Sequence, residues 1–339
     1  MQNSKLNRRQ FLRLNATALA GAAIAPAAIT GEKKDTLTGT KDGDLTQTGF
    51  YRFKMGDLQI TIINDGFFHL SEITPPGMQA IETLAFDTSE ERRQEYFRSR
   101  LLYSDDTRLE ISPVLIESGD QRILVDSGWS LPGASASAGR LGSSLEMLGI
   151  ARESIDVVIV THGHPDHVGL ANPDTGTSFY PNAEVVITET ELEFWTGEAA
   201  APFLENPGLV WIPNVLEALD DHLRVIRAGD EVVSGIRSIP SPGHTPGHIS
   251  LGVEAGGREL LLTGDAIVNI HTMFERPDWH NFFDIDREQA GRSRRKLLDR
   301  AATDEMLILG YHLPFPGIGY ALRHEEAFRW HAAGASLLP

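Results

Sequence analysis

Asp156-Val157-Val158-Ile159-Val160-Thr161-His162-Gly163-His164-Pro165-Asp166-His167 is the stretch on which the reading of this chain turns. Asp156–Val160 is a short, β-branched, continuously apolar run, the pattern of a strand buried on both faces. Directly behind it come three histidines and one aspartate within six residues, with Gly163 and Pro165 shaping the turn. A loop at the end of a buried strand can aim all four side chains into one cavity. Imidazole and carboxylate together suit zinc and related first-row ions. A lone histidine is ordinarily a surface or satisfied core residue, but four such groups in this order imply two ions. His162 and His164 can share one, and Asp166 and His167 can serve the other. Each ion then needs further ligands from elsewhere in the chain.

The rest of the sequence supplies them. His244 stands in Ser241-Pro242-Gly243-His244-Thr245-Pro246-Gly247-His248, just after the apolar Ile236–Ile239. Asp265 closes the run Glu259–Leu262 through Thr263-Gly264, and His312 follows Met306–Leu309. Each lies at the end of an apolar run, which is where an α/β sheet presents its ligands.

Around these runs the pattern alternates strands with helical stretches. Leu58–Ile63 reads as a strand, and Val114–Ser118 with Arg122–Val125 as a hairpin about Gly119-Asp120. Leu141, Leu145 and Leu148 share one helical face that Gly149 stops. Glu184–Ile187 is a strand followed by a helix through Glu189–Trp195. Several runs are too apolar for a sheet with one wet face, so the fold class is α/β with covered sheets.

The N-terminus reads as targeting sequence. Asn7-Arg8-Arg9-Gln10-Phe11-Leu12 precedes an alanine-rich run from Ala16 to Ala28, with Ala25-Pro26-Ala27 as a small-residue cleavage site. This order resembles a twin-arginine export signal over residues 1–27 and implies a periplasmic or secreted protein. The run is too short and too weak to span a bilayer, so no stable membrane anchor is expected. Residues 28–48 read as a polar linker and 49–335 as the domain. The 339-residue chain carries −17 at pH 7. Removing residues 1–27 takes away Lys5, Arg8, Arg9 and Arg13 and no acid, leaving 26 basic against 47 acidic side chains, a net of −21. Such a field repels nucleic acid and anionic membranes and favours a small, neutral or weakly charged substrate. There are no cysteines, so any metal is held by histidine and carboxylate.

The His162–His167 motif, the later His244, Thr263-Gly264-Asp265 and His312 together resemble the metallo-β-lactamase superfamily over about residues 50–335. Gly243–His248 and His312–Gly319 are similar to the methyl parathion hydrolase group, with acyl-homoserine lactonases as near relatives. The resemblance implies an αββα four-layer sandwich. It implies His162, His164 and His244 on one metal, Asp166, His167 and His312 on the second, and Asp265 bridging both. Asp126, in Leu124-Val125-Asp126-Ser127-Gly128, is expected to orient a ligand histidine, its alternative being a turn carboxylate. Trp195 resembles an aromatic pocket position, and Phe274, Trp279, Phe282 and Phe283 fall where the family builds its rim. Ordinary core packing is the alternative for each of them. His248 reads as structural.

The implied chemistry is that of a dinuclear hydrolase. Two divalent ions, zinc by default and manganese, iron or cobalt by ligand type, lower the pKa of a shared water. The resulting bridging hydroxide attacks an ester, lactone or phosphotriester centre. Asp166 is the residue expected to carry a proton as well as ligate. A β-lactam-opening hydrolase and a non-catalytic periplasmic metal-binding protein are the competing readings. A homodimer fits the family.

Overall fold

Alternation inside the apolar runs builds the layers. In the computed structural model, which describes residues 49–102, 107–130 and 135–333, sixteen strands follow one another along the chain. They are β1 (Phe50–Met55), β2 (Leu58–Ile63), β3 (Gly66–His69), β4 (Arg108–Ile111), β5 (Val114–Ser118), β6 (Gln121–Val125), β7 (Val157–Ile159) and β8 (Glu184–Thr188). Then come β9 (Leu223–Ile226), β10 (Glu231–Val233), β11 (Ile236–Pro240), β12 (Ile249–Ala255), β13 (Arg258–Leu262), β14 (Leu307–Leu309), β15 (Ile318–His324) and β16 (Ala327–Ala332). The first sheet runs β1-β2-β5-β6-β7-β8-β9 and the second β10 through β16 in sequence order. β3 and β4 form a separate hairpin. The export segment and linker lie outside the described residues.

Successive side chains of a strand point to opposite faces. Val114 and Ile116 of β5, Val157 and Ile159 of β7, and Leu260 and Leu262 of β13 enter one core between the two sheets. Their neighbours Leu115 and Val158 enter a second core on the outer face of the first sheet. Leu261 enters a third on the outer face of the second sheet. Helices Leu141–Met147, Glu189–Thr196 and Ile212–Ala218 cover the first outer face through Leu141, Leu145, Phe194, Trp195, Ile212 and Leu216. Helix Arg287–Thr303 covers the second through Leu297, Leu298 and Ala301. The result is the αββα sandwich, and it explains why these strands are apolar on both faces.

The β5–β6 hairpin turns at Gly119, whose φ of 59° suits glycine, in the expected register. The helix predicted from Leu141 and Leu145 is present. Helix Arg287–Thr303 carries no clear sequence signal because its buried face includes Ser293 and Arg294 among the apolar residues. No helix among the described residues is long and apolar enough to cross a membrane.

This topology positions the site. β6, β7, β8 and β9 pair in parallel, as do β13 and β14. Asp126, the Thr161–His167 loop, His244, Asp265 and His312 come after β6, β7, β11, β13 and β14 respectively. The site therefore lies where the two sheets meet, built from both halves of the chain.

Candidate metal centre

Seven buried or nearly buried side chains converge there. His162, His164, His244 and Asp265 form one group and Asp166, His167 and His312 another, with the potential ligand atoms of each group within 4.8 Å of one another. Asp265 touches both: its Oδ2 lies 3.3 Å from His244 Nε2 and 3.2 Å from His312 Nε2, and its Oδ1 lies 3.3 Å from His167 Nε2. Asp166 Oδ2 is 3.2 Å from His312 Nε2. His164 Nδ1 stands 3.1 Å from His162 Nε2 and 2.9 Å from His244 Nε2. Nitrogens bound tetrahedrally at about 2.0–2.1 Å would be roughly 3.3 Å apart, so these spacings suit a cation between them. His167 Nε2 and Asp265 Oδ1 are buried and lack hydrogen-bond partners among the described residues. Buried polar atoms are rarely left so. The donor set fits two divalent ions.

The opposite edges of the histidines are held by the protein. His167 Nδ1 donates to Asp126 Oδ2 at 2.8 Å, and Asp126 also accepts the Thr161 N–H and hydroxyl at 2.8 and 2.9 Å. Its left-handed φ of 56° turns the chain sharply out of β6. His244 Nδ1 donates to Asp284 Oδ1 at 2.9 Å, and Asp284 pairs at 3.1 Å with the fully buried Arg294. His312 Nδ1 donates to the Glu110 carbonyl at 2.6 Å. These bonds fix the tautomers and leave Nε2 for a metal. His248 has a different task. Burial pushes its pKa down to about 3, so the neutral ring accepts the Asp265 N–H at Nε2, 3.0 Å away.

Glu191 ties the two loops of the first group together. Its Oε1 accepts the Gly163 N–H and the Trp195 indole N–H, both at 2.7 Å. Its Oε2 accepts the Thr245 hydroxyl at 2.7 Å and the Gly247 N–H at 2.9 Å. Gly163 is required here, since a Cβ would meet Trp195 Nε1 at 2.2 Å. Four donors satisfy a carboxylate whose pKa burial pushes up.

Protons and carboxylates balance within the cluster. Burial lowers the pKa of His162 and His164. At His312 burial works the same way but Asp265 and Asp166 outweigh it, taking the ring to about 10. His244, with Asp265 and Asp284 against the same burial, reaches about 9. Asp265 is held well below the carboxylate range, since His312 and His167 outweigh its own burial.

A cavity opens beside the cluster, reached past His164, Asp166, His244, Asp265 and His312. Phe68, Leu109, Trp129, Phe203, Leu209 and Phe283 make most of its apolar wall. Of the aromatic residues expected there, Phe283 lines it and the fully buried Phe282 does not; nor do Trp195, Phe274 and Trp279. Trp195 is fully buried behind the histidine loop, its indole bonded to Glu191. Phe274 packs on Trp330 in the outer core, and Trp279 packs on Tyr96 in a satellite cluster. Helix and loop directions turn all three inward. Asp284, Arg294 and Glu191 escape sequence reading, because an acid or arginine in a polar segment looks solvated until its partners converge on it.

A binuclear metallohydrolase site at the edge of an αββα sandwich defines the class. The family model described as the metallo-beta-lactamase superfamily matches residues 106–312, and the chain belongs to that superfamily. It is a metallo-hydrolase with lactonase homologues. The N-acyl homoserine lactonase AiiA of Bacillus thuringiensis subsp. kurstaki is 28% identical over 176 residues, covering 51% of this chain and 62% of that protein. The chain thus matches about three fifths of that relative's length. Among solved structures, the dizinc quorum-quenching lactonase AidC, in complex with a product N-hexanoyl-L-homoserine, superposes with a TM-score of 0.75 at 25% identity, covering 84% of this chain and 98% of that one. The hydrolase AbOPH gives 0.74 at 27% identity, covering 85% and 98%.

Proposed function

We propose that this chain hydrolyses lactones and related carboxylic esters carrying an apolar acyl or aryl group, using a dinuclear zinc centre. The observation that carries the reading is Asp265, shared between two groups of donors that face an apolar cavity. His162, His164 and His244 would hold one ion, Asp166, His167 and His312 the other, and Asp265 both. When bound, such a pair supplies solvent that ionises near neutral pH and Lewis-acid polarisation of the scissile oxygen. Asp166, whose carboxylate lies 3.2 Å from His312 Nε2, would move a proton toward the leaving oxygen. Asp126 and Asp284 keep His167 and His244 in one tautomer. The apolar wall receives the acyl portion and excludes bulk water. The lactonase relatives support lactones over phosphotriesters, and the His312–Gly319 segment supports the methyl parathion hydrolase-like grouping.

The test is a panel of lactones, aryl esters, organophosphates and β-lactams with protein of known metal content. Lactone and ester turnover by protein carrying two ions per chain is expected. Hydrolysis of β-lactams alone, or of nothing at full metal loading, would reject the reading.

Residues 1–27 are proposed as a twin-arginine export signal, placing the mature domain, 49–335, in the periplasm or outside the cell. The support is the order of Arg8-Arg9, the apolar run and Ala25-Pro26-Ala27. Arg8→Lys with Arg9→Lys should leave precursor in the cytoplasm, and unchanged export would refute the proposal.

A further inference from the structure

Arg294, in the middle of helix Arg287–Thr303, is a cation shut away from solvent, its exposure 0%. Its Nε donates to the Ala266 carbonyl at 2.9 Å, its Nη1 to the Pro277 and Trp279 carbonyls at 3.3 and 3.2 Å, and its Nη2 to Asp284 Oδ2 at 3.1 Å. Ala266 directly follows Asp265, and Asp284 Oδ1 faces His244 Nδ1. Phe283 of the cavity wall lies on the segment that runs from Pro277 to Asp284. One rigid, planar fork therefore joins the peptide beside the shared carboxylate, the approach to the wall, and the brace of a metal-facing histidine.

The same helix holds the main chain of the His244 loop. Ser293 Oγ donates to the Pro242 carbonyl at 2.7 Å, and the N–H of Asp286, at the helix start, donates to the Gly243 carbonyl at 2.8 Å. Gly243 lies so close that a Cβ there would meet Ala290 N at 2.1 Å. The Ile285 N–H donates to the His244 carbonyl at 3.1 Å. Ring and backbone of His244 thus take their position from this helix and the turn before it. The second group is held by other elements. Asp126 stands behind His167, the Glu110 carbonyl behind His312, and the Tyr311 hydroxyl donates to the Asp166 carbonyl at 2.6 Å.

A buried ion pair adds little net stability over apolar residues of the same volume. The effect of this one is directional. Arg294 holds one oxygen of Asp284 and leaves the other toward His244. We propose that Arg294 is a positioning residue for the first group of donors. Acting through Asp284, it sets where His244 Nε2 stands, so that an ion on His162, His164 and His244 depends on Arg294 and an ion on Asp166, His167 and His312 does not. This rests on the two-ion reading of the site. Without the guanidinium the Asp284 carboxylate is free to turn, and the ring it braces loses its alignment, which lowers metal affinity as loss of other outer partners does. The second ion keeps its own donors and their braces.

The experiment measures zinc affinity of the full-length protein by chelator competition and locates bound zinc in crystals by anomalous scattering. Wild type should carry two ions per chain, and fewer at saturating zinc would remove the two-ion reading and the proposal together. Arg294→Met keeps the length and removes the fork and its charge. It should weaken the first ion by about 10–100-fold and leave the second unchanged, so that protein at limiting zinc holds its ion at Asp166, His167 and His312. Saturating zinc should refill the first group and restore the wild-type rate on any substrate that wild type turns over. Arg294→Lys returns a cation to Asp284 and should recover part of the affinity; a lysine variant no better than methionine would overturn action through Asp284. Arg294→Met with Asp284→Leu leaves no unpaired buried charge to oppose folding, and should show the same selective loss as Arg294→Met alone. Equal weakening of both ions, or a loss of activity that excess zinc does not reverse, would mean a general packing role and overturn the proposal. Wild-type affinity for both ions in the double variant would overturn it as well.

Discussion

The metal cluster and the cavity beside it share residues and a solvent path but are built on different physics. Three of the cluster's histidines have a directional partner on the far side: Asp126 behind His167, Asp284 behind His244, the Glu110 carbonyl behind His312. The cavity wall is drawn from scattered segments, with Phe68 on β3, Leu109 on β4, and Phe203, Leu209 and Phe283 from a short helix and loops further along the chain. Its apolar contacts have no preferred direction, so one residue can stand in for another of similar volume. The difference implies that the cluster fails sharply under single substitutions, whereas the cavity retunes.

The largest effect is expected at Asp265, whose carboxylate touches both groups of donors. Asp265→Ala should lower turnover on the order of a thousandfold and reduce the metal measured by elemental analysis below two ions per chain. Full activity with both ions retained would break the distinction between cluster and cavity at its strongest point. Next comes Glu191→Gln, which places an amide N–H₂ against donors that now share a carboxylate. Chelator competition should show metal affinity reduced about 10–100-fold, as for other residues that orient ligands. Unchanged affinity would reduce Glu191 to a packing residue.

On the cavity side, Phe283→Ala should raise KM for long-chain substrates by about tenfold, with kcat and metal content little changed. A collapse of kcat there would show that the wall also positions the reacting group. The smallest effect concerns the exposed clasp of the wall segment, where His280 Nδ1 donates to Asp87 Oδ2 at 2.5 Å. That bond is the main reason the His280 pKa is raised and the Asp87 pKa lowered. The raised imidazole contributes stability that is fully present below its ordinary 6.5 and lost as pH rises through the folded value. The lowered carboxylate contributes stability present above its ordinary 3.8 and lost as pH falls through the folded value. Asp87 is half-exposed and His280 partly exposed, so the contribution is below about 1 kcal/mol. The Tm difference between wild type and His280→Ala should be largest between pH 3.8 and 6.5 and fade as the pH rises through the folded imidazole value. An equal difference at both ends would rule out the charged clasp.

The donor set was legible because His162, His164, Asp166 and His167 crowd one loop, and His244, Asp265 and His312 each terminate an apolar run. Strand ends made these residues candidates, and the resemblance to the metallo-β-lactamase superfamily supplied their grouping into one site. Asp126 was singled out by the same resemblance, and its carboxylate accepts from His167 Nδ1 at 2.8 Å. Trp195 resembles a pocket position of the family, and Phe274 and Trp279 fall where the family builds its rim, yet all three pack into the layers around the cavity. Glu191, Asp284 and Arg294 gave no signal at all.

The amino-acid order by itself determined which atoms can bind metal, which runs are strands with two buried faces, and therefore an α/β sandwich with ligands along one edge. Only the tertiary structure decided which aromatics face the substrate and which buried carboxylates brace the ligands. The reason is periodicity: a strand fixes the direction of its side chains every second residue and delivers the next loop to a known edge of the sheet. Loops and short helices carry no such rule, so their side chains point wherever partners dozens of residues away complete a hydrogen bond or fill a gap.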